Sequence, residues 1–239
     1  MRDVVRSLVD LVLPVGCGGC GVAGEPWCPR CAASLGQPVR VRPPCAACGA
    51  AVYALGSYRG ALRTALLAYK ERGRRDLAVP LGRALAAALP RLDQPCGAGP
   101  GGWTLVPAPS RWSAVTRRGG AHVALLAECA AAALAGAGAR AAVAPALRMG
   151  RGVADSVGLD RAAREANLAG RVLVRTAGLP APGTPVVLVD DVVTTGATAA
   201  ACVAALRQAG VVVPSIVAVA SAHSDHRSSF SARPYDRER

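Results

Sequence analysis

The stretch PVVLVDDVVTTGATAAACVAAL, residues 185–206, constrains the fold more than any other part of the chain. Val186, Val187, Leu188 and Val189 form an apolar run without polar alternation, the pattern of a central parallel strand covered on both faces. Asp190 and Asp191 follow at the expected carboxyl end of that strand, where open α/β sheets receive ligands. Thr194, Thr195, Gly196, Ala197 and Thr198 then turn the chain into a helix whose buried face is expected to include Ala199, Cys202, Val203 and Leu206.

This order of residues carries a chemical expectation. A helix amino terminus built from small residues and threonine hydroxyls presents unpaired N–H groups and a partial positive charge, a cradle for a phosphate monoester. Adjacent carboxylates would repel that phosphate, so they face hydroxyls or a cation one sugar-length away. A phosphorylated ribose meets both demands. The plainer reading is a capping arrangement, but a cap uses one acidic or hydroxyl side chain and leaves the rest of this array unexplained.

Around this motif the pattern alternates. Strands are expected at 104–107, 141–147, 171–175, 185–189 and 211–219, and helices at 122–134 and 198–209, an order that suggests parallel β-α-β units. Two further amphipathic helices fall within 58–90, marked by Leu62, Leu66, Leu67 and Tyr69 and then by Leu77, Leu81, Leu85 and Leu89. Residues 94–102 read as a Pro/Gly linker, and 150–170 as a polar excursion with a short helix near 160–167. The expected division is 1–52, an opening helix and a Cys-rich module; 53–220, the α/β domain; and 221–239, a disordered basic tail.

The first segment holds three Cys-x-x-Cys pairs: Cys17 with Cys20, Cys28 with Cys31, and Cys45 with Cys48. Two intervening residues aim both sulfurs of a pair at one ion, and two pairs supply the four thiolates of a structural zinc site. Cys17, Cys20, Cys28 and Cys31 are favoured because they require the least chain closure, with Cys45 and Cys48 as alternates. A redox role is disfavoured, since such a pair normally opens a helix after a strand and none is expected to do so here. Cys96, Cys129 and Cys202 are isolated, and no chemical role is read for them.

Residues 185–206 resemble the ribose-phosphate loop of type I phosphoribosyltransferases. Taken with the cysteine pairs, YRGALRTALLAYKERG at 58–73 and VPAPSRWSAVTRRG at 106–119, the chain is similar to the ComF family over most of 17–220. The resemblance implies a type I phosphoribosyltransferase-like parallel sheet flanked by helices, preceded by a small zinc module. It implies that Asp190 and Asp191 hold the ribose hydroxyls of phosphoribosyl pyrophosphate, and that Thr194, Thr195, Gly196, Ala197 and Thr198 hold its 5-phosphate. Pro107, Ala108, Pro109 and Ser110 correspond to the pyrophosphate loop, with Arg117 and Arg118 as cationic neighbours. Asp155, Ser156, Gly158, Leu159, Arg164 and Asn167 resemble the family's mobile loop. The family often continues with RGFNQ where this chain has Arg118, Gly119, Gly120, Ala121 and His122, a departure that bears on any contact to a base.

The implied activity is magnesium-dependent transfer of phosphoribosyl to a nitrogenous base. The alternative is a non-catalytic single-stranded-DNA-binding factor of the DNA-uptake machinery of competent cells, with a competence helicase as partner. No general base announces itself, and His122, near an expected helix start, reads as structural. A net charge of +13 favours phosphate-rich ligands, nucleic acid or acidic partners. With aromatics at 3%, a strand-binding face of many stacked rings is disfavoured. No stretch reaches the roughly 20 uninterrupted apolar residues of a membrane span. Asp3, Asp10 and Pro14 interrupt the opening apolar pattern, so no secretory signal is expected and the chain reads as cytoplasmic.

Overall fold

The structure, a computed structural model, describes residues 15–45, 49–92, 101–109, 121–150 and 172–223. Six strands form one sheet: β1 (Val39–Val41), β2 (Ala51–Ser57), β3 (Trp103–Pro107), β4 (Ala141–Val143), β7 (Pro185–Val193) and β8 (Val212–Ser221), in the order β1-β2-β8-β7-β3-β4. Neighbours run parallel except β1, which pairs antiparallel with β2. β5 (Leu147–Met149) and β6 (Val172–Val174) form a separate antiparallel pair. Among the described residues the α-helices are α1 (Pro29–Ala32), α2 (Gly60–Glu71), α3 (Ala78–Ala88), α4 (His122–Gly136) and α5 (Ala197–Gln208). The chain is thus α/β, with a mostly parallel mixed sheet flanked by helices and a cysteine cluster near its amino terminus.

The strand order fixes where a ligand can sit. From β3 the chain passes through α4 to β4 on one side, whereas from β7 it passes through α5 to β8 on the other. Right-handed crossovers in opposite directions put α4 and α5 on opposite faces of the sheet. α3 packs against α4, and α5 packs against β7, β8 and β6. The connections diverge between β3 and β7, and the crevice of such a sheet opens at the carboxyl ends of those two strands.

Two expected strands are redrawn. The run 141–147 splits into β4 and β5 because Pro145 has no N–H to donate to a ladder. Ala144 still donates to Leu105 O at 2.8 Å, but the chain then turns away from the main sheet. The 171–175 run supplies β6, which pairs with β5 and takes no place in the parallel sheet. β2 lies across the anticipated 52/53 boundary, and its buried face-to-face run, like β1, had no sequence expectation. β7 is longer than expected: pairing with β8 carries it through Asp190 and Asp191 to Val193 opposite Ser221. The opening helix, the short 160–167 helix and residues 224–239 lie outside the described residues.

One apolar core runs from the cysteine module through the sheet, including Cys17, Trp27, Leu62, Leu77, Leu105, Leu126, Leu188 and Leu206. The α3–α4 contact depends on Gly82, where a Cβ would stand 2.5 Å from Cys129 Cβ and 2.9 Å from Ala130 N. Gly82→Ala is therefore expected to lose about 1–3 kcal/mol of unfolding free energy through overpacking. Denaturant titration of the purified variant measures this, and an unchanged midpoint would contradict the close helix contact.

Candidate functional site

β3 and β7 pair as far as Pro107 opposite Val189, and Ala108 N–H donates to Val189 O at 2.8 Å. Beyond that point β7 continues on its β8 side through Asp190, Asp191, Val192 and Val193. Pro107, Ala108, Pro109 and the two acids thus meet at the mouth of the switch-point crevice. Ser110, Arg117 and Arg118, and the 155–167 positions, lie outside the described residues.

The acids are buried, at 8% exposure for Asp190 and 3% for Asp191. Asp191 is held on every side. Its Oδ2 lies 3.0 Å from His122 Nε2 and 3.1 Å from Lys70 Nζ, and its Oδ1 accepts the Val192 N–H at 2.9 Å. Burial alone would push its carboxyl up, but the His122 hydrogen bond and the Lys70 charge outweigh that and hold it well below the usual carboxylate range. Lys70 responds in kind: burial opposes its charge, and Asp191 more than restores it, raising the ammonium above its ordinary value. Asp190 goes the other way. Burial and then the neighbouring Asp191 charge push it well above the carboxylate range, while its Oδ1 accepts the Asp191 N–H at 2.8 Å. Within the pair, Asp191 is thus pushed toward its charged form and Asp190 toward its protonated form.

Local structure explains how distant residues converge. α2 starts beyond the carboxyl end of β2, and Lys70 near its other end reaches β7, two strands away in the sheet. The helix accordingly lies across the carboxyl ends instead of running back along the sheet. Its apolar face, Leu62, Ala65, Leu66 and Tyr69, is buried. Tyr69 Oη donates to His122 O at 2.5 Å, and its ring meets the imidazole edge-on at 5.9 Å, so α2 also fixes the first residue of α4.

The turn after β7 is built for close approach. Gly196 has φ +82°, and a Cβ there would lie 2.6 Å from Cys45 O and 2.9 Å from Pro43 Cβ. Cys45 N–H donates to Thr195 O at 2.8 Å. Because a trans peptide points its C=O and N–H in opposite directions, this tie aims the Gly196 N–H away from the 43–45 strap. Ala197 N–H donates to Thr195 Oγ1 at 3.3 Å, while the N-cap residue of α5, Gly196, has no side chain to cap the helix. Thr194 is exposed, and Thr195 and Thr198 are half-buried.

The second centre is made of sulfur. The Sγ atoms of Cys17, Cys20, Cys28 and Cys31 all lie within 4.8 Å of one another, with Cys20 and Cys28 3.7 Å apart. Thiolates about 2.3 Å from a tetrahedral zinc ion stand about 3.8 Å from each other, so this donor set fits the ion. Burial raises the Cys17 thiol, but N–H groups of Cys28, Cys20 and Gly19 outweigh it and lower the thiol to about 6. A Cβ at Gly19 would lie 2.8 Å from Cys31 Sγ, which explains the glycine in the first pair. Cys45 is not in this cluster; it serves the 195–196 turn, and Cys48 lies outside the described residues. One expectation needs correction: Cys28 does open a helix, the four-residue α1, although no strand leads into it. The cluster is seated on the exit of α2, where Arg74 Nη2 donates to Gly16 O at 2.7 Å and pairs with Asp76, also at 2.7 Å.

Sequence reasoning missed Lys70 and left His122 as merely structural. Neither periodicity nor spacing joins those positions to Asp191; only the crossing of α2 over the strand ends does. Among the described residues no helix is long and apolar enough to cross a membrane. Compared with known proteins, the chain matches no family model and no curated sequence.

The charge distribution sets opposite pH behaviours. Because burial and the Asp191 charge raise the Asp190 carboxyl in the folded chain, its contribution to stability falls as pH rises above about 4, the ordinary aspartate range, whereas asparagine needs no proton. Asp190→Asn is thus expected to gain stability at pH 7, with the gain vanishing in acid. Asp191→Asn strands Lys70 and His122 and is expected to lose up to about 3 kcal/mol at pH 7. That deficit should persist through pH 5 and close only as acid protonates the depressed Asp191 carboxyl of the wild type. Denaturant melts over a pH series separate the two. For the sulfur centre, replacing Cys17 and Cys20 with serine should abolish bound zinc while Cys45→Ser retains it, as measured by elemental analysis of purified protein.

Proposed function

We propose that this chain is a type I phosphoribosyltransferase-like protein that binds phosphoribosyl pyrophosphate at the β3/β7 crevice and transfers its phosphoribosyl group to a nitrogenous base. The observation that carries the reading is the meeting, at the one switch point of the sheet, of a buried acid pair and a glycine turn opening a helix. The resemblance of 185–206 to the ribose-phosphate loop, and of the wider chain to the ComF family, supports the same reading. In this scheme the Gly196 N–H and the Thr194, Thr195 and Thr198 hydroxyls receive the 5-phosphate, with the Ala197 N–H joining them by exchanging its 3.3 Å bond to Thr195 Oγ1 for the ligand. The acid pair lies on the ribose side, and Pro107 to Pro109 face the pyrophosphate.

The cysteine cluster in this proposal is a structural zinc site, held by Cys17, Cys20, Cys28 and Cys31. Magnesium has a different place. Asp191 Oδ2 is already shared by Lys70 and His122 and its Oδ1 by the Val192 N–H, so Asp191 could take a magnesium ion only by giving up bonds to the chain. The ion belongs with the pyrophosphate oxygens as part of the substrate. What the chain itself does is orient: it fixes the phosphate at α5 and the sugar at β7, and it excludes water from the buried acids.

Calorimetric titration with magnesium and phosphoribosyl pyrophosphate tests this directly. Wild type should bind, and Gly196→Val should weaken binding by tenfold or more because the turn has no room for a side chain. Pyrophosphate release on adding one of a panel of bases would establish turnover. Salt-sensitive binding of single-stranded DNA, with no binding of the sugar phosphate, would overturn the reading in favour of a DNA-uptake factor.

A further inference from the structure

The acid pair is adjacent in sequence but not equivalent in space. Asp191 Oδ2 receives His122 Nε2 and Lys70 Nζ, Asp191 Oδ1 receives a backbone N–H, and its side chain is only 4% exposed. A carboxylate has about four lone-pair positions, and three of these are filled by protein donors. Gripping two ribose hydroxyls with Asp191 would require breaking at least one buried charge-assisted bond. Around it stand every charged or titratable neighbour that the contacts reveal: Lys70 and Tyr69 on α2, His122 on α4 and Asp190 on β7. Lys70 is the outermost of these, with 39% of its side chain exposed.

We propose that the two acids divide their work: Asp191 is the fixed point of a buried tripod with Lys70 and His122, and Asp190 is the acid that meets the ribose hydroxyls. The inference rests on the phosphoribosyl pyrophosphate reading for the ligand, and on the contacts alone for the tripod. Lys70 and His122 are then positioning residues. Through Asp191 they tie three elements to one point: α2 across the strand ends, β7 beneath it, and α4, whose first residue directly follows the segment bearing Arg117 and Arg118. With Asp191 immobile, its backbone N–H holds Asp190 Oδ1 at 2.8 Å and so sets the carboxyl group offered to the sugar.

The test compares Asp190→Asn, Asp191→Asn, Lys70→Met and Lys70→Arg, with calorimetry using magnesium phosphoribosyl pyrophosphate, thermal melts, and hydrogen–deuterium exchange of the unliganded protein. Asp190→Asn should lose affinity at least tenfold with no loss of melting temperature. Asp191→Asn and Lys70→Met should lower affinity and melting temperature together and speed exchange in β7 and at the start of α4. Lys70→Arg, which keeps the charge and the donor, should restore most of all three. Equal loss of affinity from either acid with unchanged melting and exchange would mean that both grip the ligand, and would overturn the proposal. So would Lys70→Met that binds and exchanges like wild type. If wild type does not bind the sugar phosphate, the functional reading fails by itself. The tripod is then judged by exchange: faster in Lys70→Met and rescued in Lys70→Arg upholds it, and no change in either overturns it.

Discussion

A carboxylate buried as deeply as Asp191 must be compensated, because removing a charge from water costs several kcal/mol even after the surroundings relax. The compensation comes from far along the chain, through Lys70 and His122. Those contacts explain an otherwise unusual feature of the fold, an α2 that spans the carboxyl ends of the strands. They also explain why two adjacent acids are pushed in opposite directions, Asp191 toward its charged form and Asp190 toward its protonated one. Two carboxylates side by side in a buried site disfavour each other's charge, and among the described residues Lys70 lies in direct contact with Asp191 and acts on Asp190 only as a lesser influence.

The same helix organises the sulfur centre. Arg74, just past the end of α2, holds the Gly16 carbonyl, and a side chain at Gly18 would run into Leu77. The knuckle of Cys17 and Cys20 is therefore fitted to the exit of the helix that carries Lys70. The 43–45 strap makes a second connection, from the end of β1 to the turn at Thr195 and Gly196. The cysteine-rich segment thus touches both the exit of α2 and the 195–196 turn, and it shares one core with the sheet. That arrangement gives a small apolar chain, with few aromatic side chains to fill space, a dense set of backbone and glycine contacts in their place.

Much of this architecture was readable beforehand. The apolar run at 186–189 announced a doubly covered strand, the leucine spacings announced α2 and α3, and nearest-neighbour closure picked the four clustered sulfurs. Other features were not readable, for reasons that can be named. β2 has no alternation to reveal it, since both its faces are buried. Pro145 divides a run that looks continuous in composition. β7 extends past the acids because β8 continues to pair with it, a long-range fact with no local trace. Lys70 and His122 belong to the same class: each lies on a helix whose apolar face is all that the pattern encodes, and their meeting at Asp191 is decided by how helices cross the sheet.

The division of charge between the acids can be observed without any ligand. In protein labelled with ¹³C at the aspartate side-chain carboxyl, the carbon shifts of Asp190 and Asp191, assigned through the two asparagine variants, can be followed from neutral pH into acid. The account predicts an Asp190 carbon in the protonated position at neutral pH and an Asp191 carbon that stays ionised below the usual aspartate range. Two carbons that titrate together near the ordinary value of about 3.9 would contradict it.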